Sequence, residues 1–193
     1  MARPTRFTRE DVLEKAMQAF WSEGYNATGM ADLVTITDLR PGSLYGSFKS
    51  TRDLFRAPLD HYGEHSVAKI EQALNASDSP LTDIRGFFLE QARDAAGDNG
   101  KRSCFLVNTV LELARRDNEI REQINVYFKQ IEALFRRRLK QAQACGELGA
   151  DKDPKTLAAF LLNNIWGLRV LGGTAPSLRR AQDIVKLVLS VLD

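Results

Sequence analysis

The side chains best suited to chemistry lie between residues 40 and 52. There Arg40, Lys49 and Arg52 are interleaved with the hydroxyls of Ser43, Tyr45, Ser50 and Thr51. Guanidinium and ammonium groups bind phosphate, and an arginine at the start of a helix can also reach base edges. Arg3, Arg6 and Arg9 all precede the first acidic residue, Glu10, and leave a short basic arm. Cys104 directly follows Lys101 and Arg102; two cations and a helix start both favour a thiolate. The opposing reading of Cys104 is a small buried apolar side chain. His61 and His65 stand four apart, a spacing that can hold one metal ion, but two ligands are not a site and no third is evident. No cysteine or serine has a placed histidine base, so the sequence assigns no catalytic residue, no metal and no cofactor.

Composition narrows the setting. The chain has 193 residues, 27 Lys and Arg against 25 Asp and Glu, and a net charge of +2, which does not by itself announce a nucleic-acid partner. Charge placement says more than the sum. No window approaches the eighteen or so apolar residues needed to cross a bilayer, so no membrane partner is expected. The start, MARPTRFTRED, lacks the apolar stretch of a secretory signal. Two cysteines without CxxC spacing do not build a disulfide framework, and a reducing, cytoplasmic setting fits.

The elements that must position these residues read at helical period, with no run alternating at period two. Thr8 with Asp11 makes a capping box for a first helix that carries Val12, Leu13, Ala16, Ala19 and Phe20 and stops at Gly24. A second helix starts at Thr28. A third runs from Pro41 to Phe48, with Pro41 at the first helical position, where its missing N–H costs nothing. Ser50 and Asp53 open a long fourth helix reaching about Asn75, and Pro58 inside it predicts a kink. Further helices fall at about 81–96, 103–115, 118–144, 154–172 and 177–192, the fourth of these opened by Asp153-Pro154. The expected architecture is all-α: a small three-helix unit over residues 1–55 and a larger helical bundle over residues 56–193.

Gly24-Tyr25, Ala27-Thr28, Asp32-Leu33, Gly42-Ser43-Leu44-Tyr45 and Phe48 are the specific signal. Over residues 8–56 this pattern resembles the helix-turn-helix of the TetR family of repressors; beyond them the likeness is architectural. The resemblance implies a third helix in the major groove. Its candidate DNA-binding residues are Arg3, Thr28, Arg40, Pro41, Gly42, Ser43, Tyr45, Lys49, Ser50, Thr51 and Arg52. Arg40 and Ser43 are placed to reach bases, and Tyr45, Ser50 and Thr51 to meet phosphate. Gly42 leaves room for the DNA backbone. The sequence departs from the family pattern at three points. Asp38 replaces a turn glycine and tolerates the left-handed region better than most residues. Arg40 replaces a serine cap. Thr51 replaces a lysine, so that Arg52 either takes its phosphate or is a solvated helix residue. Arg3-Pro4 resembles arms laid into the minor groove, against the reading of a frayed terminus.

The resemblance also implies a homodimer formed by the last two helices. Leu157, Phe160, Leu161, Ile165 and Leu168 form one apolar stripe, and Ile184, Leu187, Val188 and Val191 another; both also serve as cover for the subunit's own core. It further implies a small-molecule effector pocket among the middle helices. Tyr62, Phe88, Cys104, Asn108, Phe128, Asn163 and Trp166 are its candidate lining, with Phe87, although aromatic residues at helical spacing usually just pack. The run Arg136-Arg137-Arg138 with Lys140 reads as a solvated face. The expected function is a repressor of double-stranded operator DNA, released when the fourth helix swings on effector binding. An activator or architectural DNA-binding protein, and less so a helical enzyme, are the competing readings.

Overall fold

The computed structural model describes residues 8–193, and among them the chain forms ten α-helices and no strand. In order these are α1 (Arg9–Glu23), α2 (Met30–Thr37), α3 (Pro41–Ser47), α4 (Thr51–Ala73), α5 (Pro80–Ala96), α6 (Asp98–Lys101), α7 (Phe105–Leu113), α8 (Asn118–Ala144), α9 (Pro154–Gly172) and α10 (Leu178–Leu189). Side-chain caps set most of the starts. Thr8 Oγ1 accepts the Asp11 N–H at 3.1 Å while Asp11 Oδ2 accepts the Thr8 N–H at 3.0 Å. Ser50, Ser79, Asp117, Asp153 and Ser177 cap α4, α5, α8, α9 and α10 in the same way. Gly24, at φ 87°, closes α1 in a conformation costly for any residue with a Cβ.

Two local expectations need correction. The second helix begins at Met30 rather than Thr28, because the Thr28 hydroxyl donates to Gly24 O at 2.7 Å and is drawn into the turn. Gly29 becomes the cap, its N–H held by Asp32 Oδ2 at 2.8 Å. The four-residue α6 lies in a stretch, residues 97–101, whose two glycines read as a loop. The long fourth helix continues as one element through the buried Pro58, and residues 55 and 56 lie within it.

Two apolar cores hold the helices. One gathers Ala16, Phe20, Leu33, Leu44, Phe55 and Leu59 from the first four helices, and then Phe105, Leu106, Ile120 and Ile124 from α7 and α8. The other packs Ile84 and Phe88 of α5, Phe135 and Leu139 of α8, Leu161 and Leu168 of α9 and Val185 of α10. At about 1.5–3 kcal/mol per fully buried large apolar side chain, the first core alone binds the N-terminal helices firmly to α7 and α8. Contact between α4 and α8 is close at Gly63, where an added Cβ would stand 2.5 Å from the Tyr127 ring.

The basic run on α8 is not uniformly solvated. Arg136 and Lys140 are exposed, and Arg137 pairs with Glu71 on the surface at 2.7 Å. Arg138 is buried: it pairs with the buried Asp83 of α5 and donates to Ser77 O at 2.6 Å. A charge so far from water persists because its partner and the loop carbonyl replace hydration.

Candidate functional site

The recognition surface is built from the turn between α2 and α3. Asp38 ends α2 in the left-handed region, φ 57° and ψ 28°, the conformation expected of the residue that stands in for a turn glycine. Thr37 is buried with its hydroxyl on Leu33 O at 2.6 Å. Arg40 then caps α3 with its backbone, its carbonyl accepting from Ser43 N at 2.9 Å and Leu44 N at 3.2 Å, so its guanidinium is not used as a cap. Leu44 is fully buried and anchors α3 to the core, with Phe48 half-buried at its end. That anchor turns Arg40, Pro41, Gly42 and Ser43 outward, all exposed, with Lys49 and Ser50 exposed just beyond. A Cβ at Gly42 would meet nothing within 4 Å, so no packing inside the chain requires glycine there.

Two of the sequence-derived DNA residues, Thr28 and Arg52, are engaged inside the chain, and Thr51 stands at the start of the fourth helix as expected. Thr28 is 4% exposed and its hydroxyl is engaged within its own turn, which leaves it no face for a phosphate. The Arg52 guanidinium is engaged within the chain: it makes two bonds to Asp117, the cap of α8, at 2.8 and 2.9 Å, and approaches Glu119 at 3.3 Å. Thr51 is half-buried at the first position of α4, while the hydroxyl of Ser50 accepts the Asp53 N–H. Arg3 and the Tyr45 side chain lie outside the described residues.

Polar ties join this unit to the rest of the chain. Glu112 of α7 accepts the N–H groups of Tyr25 and Asn26 at 3.1 and 2.9 Å, and the Asn26 amide at 2.7 Å. Trp21 donates to Arg102 O at 2.8 Å, and the Arg102 guanidinium lies 5.1 Å over the Trp21 ring and donates to Ser22. On the other side Arg56 pairs with Glu119 at 3.0 Å, and Asp60 accepts from Tyr127 at 2.7 Å and Gln123 at 2.6 Å. The Arg52 hydrogen bonds hold the Asp117 carboxyl at about 2, against a smaller opposing effect of burial and with help from the Ile120 N–H.

A cavity lies among α4, α5, α8, α9 and the segment leading into α7. An inner chamber of about 60 Å³ is bounded by Cys104, Leu106, Phe128, Ile131, Leu162, Ile165 and Trp166. An outer vestibule of about 350 Å³ is bounded by His65, Lys69, Glu90, Asp94, Arg102 and Ser103. Both share Tyr62, Ser66, Ile70, Phe87, Gln91 and Arg169. The Tyr62 hydroxyl donates to Cys104 Sγ at 3.6 Å, and burial, then the neighbouring thiol, pushes the phenol far above its ordinary range. Of the sequence-derived lining residues, Tyr62, Cys104, Phe128 and Trp166 meet here.

Phe88, Asn108 and Asn163 do not line this cavity. Phe88 points one position round α5 into the second core, and Phe87 takes the cavity side. The Asn108 amide donates to Arg102 O at 3.1 Å. Asn163 is exposed on the outer face of α9, in line with Phe160, Gly167 and Val170. That face, with Leu187 of α10 at 75% exposure, leaves apolar surface uncovered, as do Leu111 of α7 and Val126 of α8 elsewhere. Leu161, Ile165 and Leu168, expected in the same stripe, are buried in the subunit's own core. The cations beside Cys104 in sequence are also turned elsewhere, Lys101 to Asp98 at 2.7 Å and Arg102 to Trp21. Cys104 is the half-exposed cap residue of α7. His61 and His65 are exposed, and among the described residues no group of three His, Cys, Asp or Glu could hold a metal.

Sequence reasoning missed Gln91, Arg169, Glu112 and Asp117. Asp117 carried a signal, as an acid just before the α8 pattern. For the others the sequence offers none, since a charged or amide side chain on a helix is ordinarily solvated.

Comparison with known proteins agrees with this geometry. Residues 12–57 match the family described as bacterial regulatory proteins, tetR family, and residues 80–175 match a tetracyclin repressor-like C-terminal domain. The chain is 31% identical over 188 residues to the HTH-type transcriptional repressor ComR of Escherichia coli (strain K12), covering 97% of this chain and 90% of ComR. It is 30% identical over 194 residues to YezE of Bacillus subtilis (strain 168), an uncharacterized HTH-type transcriptional regulator, with both chains fully covered. Among solved structures, a cysteine-substituted TetR family regulator CifR complexed with 26-bp double-strand operator DNA superposes at a TM-score of 0.86 with 28% identity, covering 100% of both chains. The reduced form of E. coli NemR shares the fold at a TM-score of 0.85 and 17% identity, covering 97% of this chain and 98% of NemR.

Proposed function

Because the chain belongs to the tetR family of bacterial regulatory proteins, we propose that it is a cytoplasmic, homodimeric repressor released from operator DNA by an effector in the cavity beside Tyr62. It is a DNA-binding regulator and not an enzyme, as its family and structural neighbours are. The exposed α3 edge of Arg40, Pro41, Gly42 and Ser43 is the base-reading surface, and Lys49 and the start of α4 set its register on phosphate. A second copy covers the outer face of α9 and α10, and a palindromic operator requires the two α3 helices of such a dimer to stand about 34–36 Å apart, one turn of DNA.

The observation that carries the release mechanism is the aromatic cluster between cavity and reading unit. The Tyr62 ring, on the cavity wall, meets Phe105 at 5.7 Å and Trp21 at 5.1 Å; Phe105 meets Phe55 at 5.6 Å, and Phe55 meets Phe20 at 4.9 Å. A ligand that displaces Tyr62 therefore pushes on α1 and α4 directly. It shifts the equilibrium only by as much as it prefers the displaced form.

A gel-shift titration on the DNA flanking its own gene, repeated at several salt concentrations, tests the binding. Retardation that weakens steeply with salt is expected. No retardation even at low salt would sink the proposal. Reporter transcription with and without the protein then separates repression from activation.

A further inference from the structure

The neck of the cavity carries one polar atom with no partner among the described residues and one cation with only a distant one, and together they describe the head of a ligand. Gln91 of α5 is 5% exposed, and its Oε1 is sealed from solvent with no hydrogen-bond partner. Native proteins pair the great majority of buried polar side-chain atoms, so an orphan amide on a cavity wall marks a place where a partner arrives from outside. Across from it, on α9, the Arg169 side chain is 28% exposed and reaches only Asp94 Oδ2, at 3.6 Å. That is too long for a good hydrogen bond and leaves a five-donor guanidinium facing the same space. Behind these two groups the inner chamber is apolar, closed by Leu106, Phe128, Ile131 and Trp166.

We infer that the cavity takes a small molecule with a planar carboxyl-type head, a carboxylate or a carboxamide, and a short hydrocarbon tail. This rests on reading the cavity as the effector site. The head oxygen accepts from Arg169, whose planar fork suits a carboxyl group better than a point charge does. The orphan Gln91 carbonyl accepts from the N–H of a carboxamide head; for a carboxylate head the amide turns to present its N–H instead. An ammonium head is disfavoured, because Arg169, Lys69 and Arg102 outnumber Glu90 and Asp94 around the vestibule. The tail is short because the apolar chamber, about 60 Å³, is small beside the vestibule of about 350 Å³.

Calorimetric titration of the free full-length protein with pentanoate, pentanamide and pentylamine tests the inference. Saturable binding of pentanoate or pentanamide is expected, with pentylamine at least tenfold weaker; whichever of the first two binds better identifies the head. Arg169→Met should weaken that probe at least tenfold, and Gln91→Leu should weaken it while leaving the melting temperature of the empty protein unchanged or higher, since the orphan oxygen is gone. Pentylamine binding as well as the acid and amide, an Arg169→Met variant with undiminished affinity, or no heat from any probe overturns it. Operator release is measured separately by gel shift. Head-dependent binding that leaves the DNA complex intact keeps this inference and removes the effector reading. Release by pentylamine as efficient as by the other two does the reverse.

Discussion

The recognition helix and the seam behind it are held in opposite ways. α3 enters the core through Leu44 and half-buried Phe48, has no side-chain cap, and keeps Arg40 and Ser43 exposed. The seam joining α1 and α4 to α7 and α8 has a continuous apolar core, the Glu112 tie, and the Arg52–Asp117 pair. A reading edge must give its polar groups to DNA, and a group already paired inside the chain cannot be given. Under the proposed release, the seam passes movement from the cavity to that edge through packed, bonded contacts. The arginine nearest the family's phosphate-binding position is paired into the seam in the described chain.

Breaking the seam at its centre should have the largest effect. Phe105 is 2% exposed and meets Trp21, Phe55 and Tyr62. Phe105→Ala removes the side chain common to the cavity wall and the reading unit, and should lower unfolding free energy by about 3–5 kcal/mol. Denaturant titration followed by tryptophan fluorescence measures it. A loss below about 1 kcal/mol would mean that the core collapses around the gap and that the seam is not the rigid partner in the comparison.

Gly63→Ala adds to the seam rather than removing from it. The new methyl group would meet the Tyr127 ring, so α4 and α8 must separate or the ring must turn, at a cost of about 1–3 kcal/mol. Tyr127 donates to Asp60, and turning breaks that bond as well. A melting temperature unchanged from the parent would show that the seam has slack.

Much of this contrast was legible in the sequence. Helical periodicity, the caps Thr8, Ser50 and Asp153, and Pro41 at a first helical position placed nine of the helices to within a few residues, because those signals are local. The exposed edge of α3 was legible because Leu44 and Phe48 fix which side faces inward. The partners of charged residues were not. Arg52 finds Asp117 across 65 positions, and Arg138 finds Asp83 across 55; no local pattern records such a pairing. The cavity was half legible for the same reason. Tyr62, Phe128 and Trp166 declared themselves as bulky apolar side chains, while Gln91 and Arg169 read as solvated residues until the helices packed around them.

The reading edge is tested with Arg40→Ala. The guanidinium makes no described bond within the chain, so melting should not move, while operator affinity should fall roughly ten- to a hundredfold. Arg52→Ala is the contrasting variant: a small change in melting with the salt slope of DNA binding retained. If Arg52→Ala flattens that slope by about one contact, the arginine leaves Asp117 for phosphate on DNA and the comparison fails at that residue.

The smallest effect is the most specific, since it reads the Arg52–Asp117 pair alone. The Asp117 carboxyl is held at about 2 in the folded chain, below its ordinary 3.8. A depressed carboxylate adds stability that is fully present above the unfolded value and is lost as pH falls through the folded one. The pair should therefore support the fold above about pH 4 and fade between about pH 4 and pH 2. Asp117→Asn keeps a good helix cap for α8 and removes the charge together with one of the two oxygens that accept from Arg52. The melting-temperature gap between parent and variant should be small at neutral pH, because Arg52 is partly exposed and screened by solvent. It should narrow as the pH falls through that window and as salt is raised. A gap that stays constant from pH 7 to pH 2 would assign the variant's effect to capping, and leave Arg52 free to serve the DNA side of the comparison after all.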